Sequence, residues 1–108
     1  MASYPPGTIA VIFVSQRTDR DDDGYAVAAQ AMVELASQQP GYLGVDSVRE
    51  TDGLGITVSY WADEKAAVAW RDDPEHTEIR NLGRGRWYSH YDLHVAAVTR
   101  SYDWKAQQ

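Results

Sequence analysis

The elements written in this chain run strand, helix, strand, strand, helix, strand. That order is the ferredoxin-like β-α-β-β-α-β unit, an α+β fold whose four-stranded antiparallel sheet carries its helices on one face. Three observations predict it. Ile9–Gln16 (IAVIFVSQ) is an almost unbroken apolar, β-branched run. Two alternating segments flank Asp52-Gly53, a hairpin signal. Helical spacing fills the stretches before Pro40-Gly41 and after Asp63.

Met1–Gly7, closed by Pro5-Pro6-Gly7, reads as a tail, and Ile9–Gln16 as a mid-sheet strand. Asp21-Asp22-Asp23 stands where the next helix begins, where carboxylates accept from free N–H groups and complement the positive helix end. A metal cage there would want spaced oxygen ligands and a closing Glu, which the run lacks. Tyr25, Ala28, Ala29, Met32, Leu35 and Ala36 form one apolar stripe on a helix reaching about Gln38. Tyr42–Thr51 is the second strand and Gly55–Trp61 the third. Alternation puts Ile56, Val58 and Tyr60 on one face of the third strand, with Thr57, Ser59 and Trp61 on the other.

Asp63 caps a helix through about Asp72, with Ala66, Ala67 and Trp70 toward the sheet. Asp73-Pro74 restarts a short helix, Asp as cap and Pro at its first position, and Gly83 and Gly85 stop it. The last strand, Trp87 to about Trp104, would span more than about 50 Å, against about 20 Å for an ordinary strand. Either it bends at a bulge or its end leaves the subunit; the second is favoured, with the Arg100–Trp104 end pairing with another chain, which makes residues 99–108 an extension toward a partner subunit.

The 108 residues are expected to form one domain, 1–108. Sixteen acidic against ten basic residues give a net charge of −6, which disfavours nucleic acid and anionic membrane as partners. With no Cys, disulfides, thiolate metal sites and a Cys nucleophile are excluded. No signal-peptide pattern or membrane-length apolar run occurs, so cytoplasmic residence is the default expectation. The sheet face without helices carries Val, Leu and aromatics and needs a cover. Face-to-face pairing of two copies, a homodimer, is the economical answer.

Trp70, His76 and Arg80 are spaced to converge between the sheet and the two-piece helix, and His76 and Arg80 share a helical face. An aromatic wall with a few fixed polar groups suits a small ligand. Each residue also has a plainer reading: Trp70 as a core anchor, His76 as a structural first-turn histidine, Arg80 as a surface ion pair. As a general base, His76 has the right intrinsic range for proton abstraction near neutral pH. His90, Asp92 and His94 alternate along one strand and diverge over about 14 Å, too far to share one ion, so no metal is expected.

QPGYLGVDS, GITVSYW, the helical Trp70, PEH and the GRxxWYxxY run at Gly83–Tyr91, together with the β-branched first strand, resemble the antibiotic biosynthesis monooxygenase superfamily over roughly Thr8 to Trp104. The resemblance implies a dimeric α+β barrel whose sheets face each other and whose C-terminal strands cross over. It also implies small oxygenases that oxidise polycyclic phenols or quinols with no metal or flavin, so no cofactor is expected. On that reading His76, Trp70 and Arg80 are catalytic, and Tyr60, Trp61, Trp87, Tyr91 and Ser15 contact a small aromatic substrate. A haem-degrading branch would want Asn near Ser15 and a ligating His at Arg80; both positions depart from it, and His76 one turn earlier is the residue that keeps haem binding in view. A non-catalytic ligand-binding or stress-response dimer of the same fold is the rival class.

Overall fold

The computed structural model describes residues 3–107; Met1 and Ala2 of the expected tail and Gln108 of the expected extension lie outside them. The order is β1 (Ile9–Arg17), α1 (Asp22–Ser37), β2 (Tyr42–Arg49), β3 (Leu54–Trp61), α2 (Glu64–Arg71), α3 (Pro74–Gly83) and β4 (Tyr88–Ala97). The four strands form one antiparallel sheet in the order β2-β3-β1-β4. The helices lie on one face, which is the ferredoxin-like α+β arrangement.

Each helix starts where an Asp accepts a backbone N–H: Asp21 from Gly24, Asp63 from Ala66 and Asp73 from His76. Pro74 occupies the first turn of α3, where its missing N–H costs nothing. Between α1 and β2 the chain turns at Gly41, with φ +84, and a Cβ there would stand 2.5 Å from the Ala66 Cβ. Only glycine lets that turn pass so close to α2. The core is small: Ile9, Ala36, Trp61, Ala67 and Trp70, with Met32, Leu35 and Tyr42 packed around it.

Three expected strand limits are corrected. β2 ends at Arg49 rather than Thr51, because the Gly53 N–H bonds the Glu50 carbonyl and closes the turn there. β4 starts at Tyr88 and ends at Ala97, and residues 98–107 form no strand. The cause is the partner: Ala97 pairs with Ile9, Val98 still exchanges backbone bonds with Gly7 and Thr8, and beyond these Pro5-Pro6 offers no N–H to continue the ladder. The N-terminal segment is also fastened by Ser3, whose hydroxyl donates to Asp103 at 2.8 Å.

A register shift between Gln16 and Arg17 pairs Gln16 with His90 and Arg17 with Tyr88, leaving Ser89 unpaired. The bulge turns Tyr88 onto the same side as Tyr91, two residues that strict alternation would separate. No helix among the described residues is long and apolar enough to cross a membrane.

Candidate functional site

Between the helix-facing side of the sheet and the three helices lies a cavity of about 340 Å³, within the range of small-ligand sites. Its walls are mostly apolar, with Val11, Phe13, Met32, Leu93 and Val95 prominent, and Trp70, His76, Arg80, Trp87 and Tyr91 open onto it.

One wall is a three-ring stack. Trp61 is fully buried at 0% exposure, Trp70 lies over it with centroids 5.7 Å apart and planes at 23°, and His76 covers Trp70 at 4.0 Å and 15°. The break between α2 and α3 builds this stack. Asp73 caps α3, so the chain reverses and the first turn of α3 folds back over the last turn of α2. There the Trp70 carbonyl, which also accepts from the Asp73 N–H at 3.2 Å, lies 2.7 Å from His76 Nδ1.

A carbonyl only accepts, so Nδ1 carries the proton and Nε2 keeps its lone pair. Nε2 has no hydrogen-bond partner among the described residues. Burial, chiefly, and Arg80 nearby push the His76 pKa below its usual value, against opposing contributions from the Trp70 carbonyl and Asp73. The result is a neutral imidazole with a proton-accepting nitrogen on an aromatic wall.

Arg80 follows one turn later. Its Nε is buried without a partner, Nη1 is 3.5 Å from the Arg71 carbonyl, and no carboxylate pairs with it among the described residues. At that length the carbonyl contact is marginal, so most of the guanidinium N–H capacity is unspent.

The opposite end is locked by Asp21. Its backbone is left-handed at φ 53, and its carboxylate accepts from Trp87 Nε1 at 3.0 Å and lies 3.2 Å from Arg86 Nε. The indole hydrogen bond is the main reason its carboxyl titrates below the ordinary range, with the Gly24 N–H and Arg86 assisting. Trp87 meets the edge of Tyr25, which in turn stands edge-on to Tyr88. The Arg17 guanidinium lies 4.0 Å over the Tyr25 ring. Burial, chiefly, and the neighbouring Tyr25 raise the Tyr88 hydroxyl well above the usual range. Arg84 Nε donates to the Tyr91 hydroxyl at 2.8 Å.

Of the expected site residues, the structure therefore brings Trp70, His76, Arg80, Trp87 and Tyr91 around one cavity. Trp61 stands behind Trp70 and backs it. Ser15 is buried beneath the floor, its Oγ accepting from Arg49 Nη2 at 2.9 Å. Tyr60 is a correction: it lies on the opposite face of the sheet, stacked on Tyr4 at 4.1 Å and donating to Asp46 at 3.1 Å. Adjacent strand residues point to opposite faces, so Tyr60 and Trp61 cannot share a pocket. His90 pairs with Asp92 at 3.1 Å, and among the described residues no three His, Asp or Glu side chains converge as metal ligands.

Sequence reading missed Asp21, Arg17, Arg49, Tyr25 and Tyr88 as parts of this region. The acidic run was legible as a helix cap. Nothing local signalled that its first carboxylate would receive an indole 66 residues away.

Comparison with known proteins agrees with this architecture. The antibiotic biosynthesis monooxygenase signature matches residues 8–82. The chain is 50% identical over 95 residues to the uncharacterized protein YqjZ of Bacillus subtilis (strain 168), covering 88% of this chain and 82% of that one. It is 28% identical over 96 residues to the jasmonate monooxygenase ABM of Pyricularia oryzae, covering 85% of this chain but 44% of that longer protein. Among solved structures, SnoaB, a cofactor-independent oxygenase from Streptomyces nogalater, superposes with a TM-score of 0.70 at 13% identity, covering 94% of this chain and 95% of that one. That last likeness concerns the fold. The matched signature and the half-identical relative together place the protein by descent: the chain belongs to the antibiotic biosynthesis monooxygenase family.

Proposed function

We propose that the protein is a small cofactor-independent monooxygenase acting on a phenolic or quinol-type aromatic. The observation that carries the reading is the neutral His76, its Nε2 unpartnered, stacked on Trp70 at a cavity of ligand size. An electron-rich ring would lie against that wall and give its phenolic proton to Nε2. The phenolate would pass one electron to O₂, the ring radical and superoxide would join at a ring carbon bearing hydrogen, and the His76 imidazolium would return its proton to the resulting peroxide, giving a hydroperoxide. Loss of water then leaves a quinone, with one oxygen atom in the product and one in the water. Arg80, with unspent N–H groups, would steady the anionic oxygen.

The working unit in this reading is a homodimer. The helix-free face carries Ile12, Val14, Val48, Ile56 and Val58, with Val48 72% and Ile56 42% exposed. A contiguous apolar patch of that kind favours a cover, and a second copy supplies an equal one. The test is oxygen consumption with a panel of hydroquinones and anthrones. Turnover in the wild type, lost in His76→Gln, is the expected result; no uptake with any member of the panel removes the reading in favour of a ligand-binding dimer.

A further inference from the structure

Toward the turn of the β2–β3 hairpin the polarity of the sheet is reversed, while nearer its open end Val45 and Trp61 lie under the helices and Asp46 and Tyr60 on the uncovered side. The side under the helices carries Ser47, Thr57 and Ser59, while the uncovered side carries Val48, Ile56 and Val58. An antiparallel sheet with one packed face ordinarily covers its apolar set and turns hydroxyls to water.

The strand registers show how far this extends. One row across the cavity floor reads Ser47, Thr57, Phe13, Leu93, and the next reads Val45, Ser59, Val11, Val95. In these two rows the floor therefore changes from hydroxyl-bearing over β2 and β3 to apolar over β1 and β4, with the tyrosines of β4, Tyr88 and Tyr91, lying beyond Leu93 toward Trp87. All of these residues line the one cavity.

The hydroxyls are only partly spent. Ser47 Oγ and Thr57 Oγ1 are 2.6 Å apart and share one hydrogen bond. Each hydroxyl brings one O–H and two lone pairs, so the pair retains one donor and several acceptor sites. Ser59 Oγ accepts from Trp61 Nε1 at 2.9 Å, which leaves its own O–H to donate. Groups that both donate and accept match a ligand hydroxyl or carbonyl better than a bare hydrocarbon edge.

We infer that the Ser47–Thr57 pair is a specificity subsite, and that the ligand is a polyoxygenated aromatic. One edge bears hydroxyl or carbonyl oxygens over β2–β3, in addition to the hydroxyl that meets His76; the other edge is bare and lies over Leu93 and Val95. This rests on the reading that the cavity binds an aromatic. It goes further in naming which edge is oxygenated and which residues sense it. A cross-strand Ser–Thr pair can also serve the sheet alone, and experiment separates the two roles.

Calorimetric titration with 2-naphthol and 2,6-dihydroxynaphthalene makes the comparison. In the wild type the diol is expected to bind about threefold to tenfold tighter, the increment of one ligand hydrogen bond. In Ser47→Ala/Thr57→Val that ratio should fall to about one, and in Thr57→Ser it should persist. Ser47→Ala alone, on the edge strand, repeats the comparison if the double variant fails to fold. A wild type without preference for the diol, or variants that keep it, overturns the inference. Oxygen uptake with the hydroquinone and anthrone panel tests the oxygenase reading separately. Preference for the diol without uptake keeps the subsite and removes the oxygenase; uptake without preference, or no binding of either naphthol, overturns the subsite alone.

Discussion

His76 and Trp70 are joined twice: the imidazole lies 4.0 Å over the indole, and its Nδ1 donates to the carbonyl of the same residue. The ring face and the tautomer are thus fixed by one neighbour. Only Nε2 is left to meet a ligand.

The first prediction concerns pH. Burial lowers the His76 pKa, so below about 6.5 the unfolded chain takes up a proton that the native state refuses. The stability contribution is complete above that value and declines as pH falls through the window beneath it. Melting temperature at fixed ionic strength should lose ground there in the wild type, and His76→Gln should flatten that segment. Parallel profiles for the two proteins would show that His76 is not held neutral.

Trp70 is a core residue as well as a wall, at 7% exposure between Trp61 and His76. Trp70→Ala should cost about 3–5 kcal/mol by urea unfolding, a large share of the stability of so small a domain. Loss of turnover in that variant therefore reports folding as much as chemistry. Trp70→Phe keeps a ring under His76, and should stay folded while weakening aromatic binding.

Gly41→Ala should destabilise by at least about 1–2 kcal/mol from its positive φ alone. Contact with Ala66 adds to that, because α2 must shift to admit the methyl group. Gly85→Ala is the control: φ is +76, yet nothing lies within 4 Å of the added carbon. Differential scanning calorimetry should place the Gly41 variant below the Gly85 variant, and equal losses would remove the claim of a close α2 contact.

The uncovered sheet face makes the fourth prediction. Ile56→Asp places a charge in the middle of the proposed dimer surface, where desolvation without a partner is costly. Size-exclusion chromatography with light scattering should report a dimer for the wild type and a monomer for the variant. A wild type that elutes as a monomer at micromolar concentration would leave that face without its proposed cover.

Much of the fold was legible because local rules and global topology agree. Asp63 and Asp73-Pro74 announced two helix starts with no tertiary information, and that break is what folds His76 back onto Trp70. Alternation on β3 already separated Tyr60 from Trp61, although both were expected at the ligand. The unread parts are long-range. The bulge opposite Arg17 depends on how two strands meet, and it alone puts Tyr88 beside Tyr91. The end of β4 is set by its neighbour, not by its own β-prone sequence. The bond from Trp87 to Asp21 joins a loop to a helix cap through the folded sheet, and no spacing rule reaches that far.

The hydrogen bonds that tie Gly7 and Thr8 to Val98, and Ser3 to Asp103, hold the segment before β1 and the segment after β4 together at one pole of the sheet. A short Gly-Ser bridge between those two segments, with a new opening at the exposed Asp52 hairpin, would give a circular permutant that keeps every strand neighbour. Reporter domains fused to the permutant would then leave from the hairpin, at the opposite pole of the sheet from the bridge.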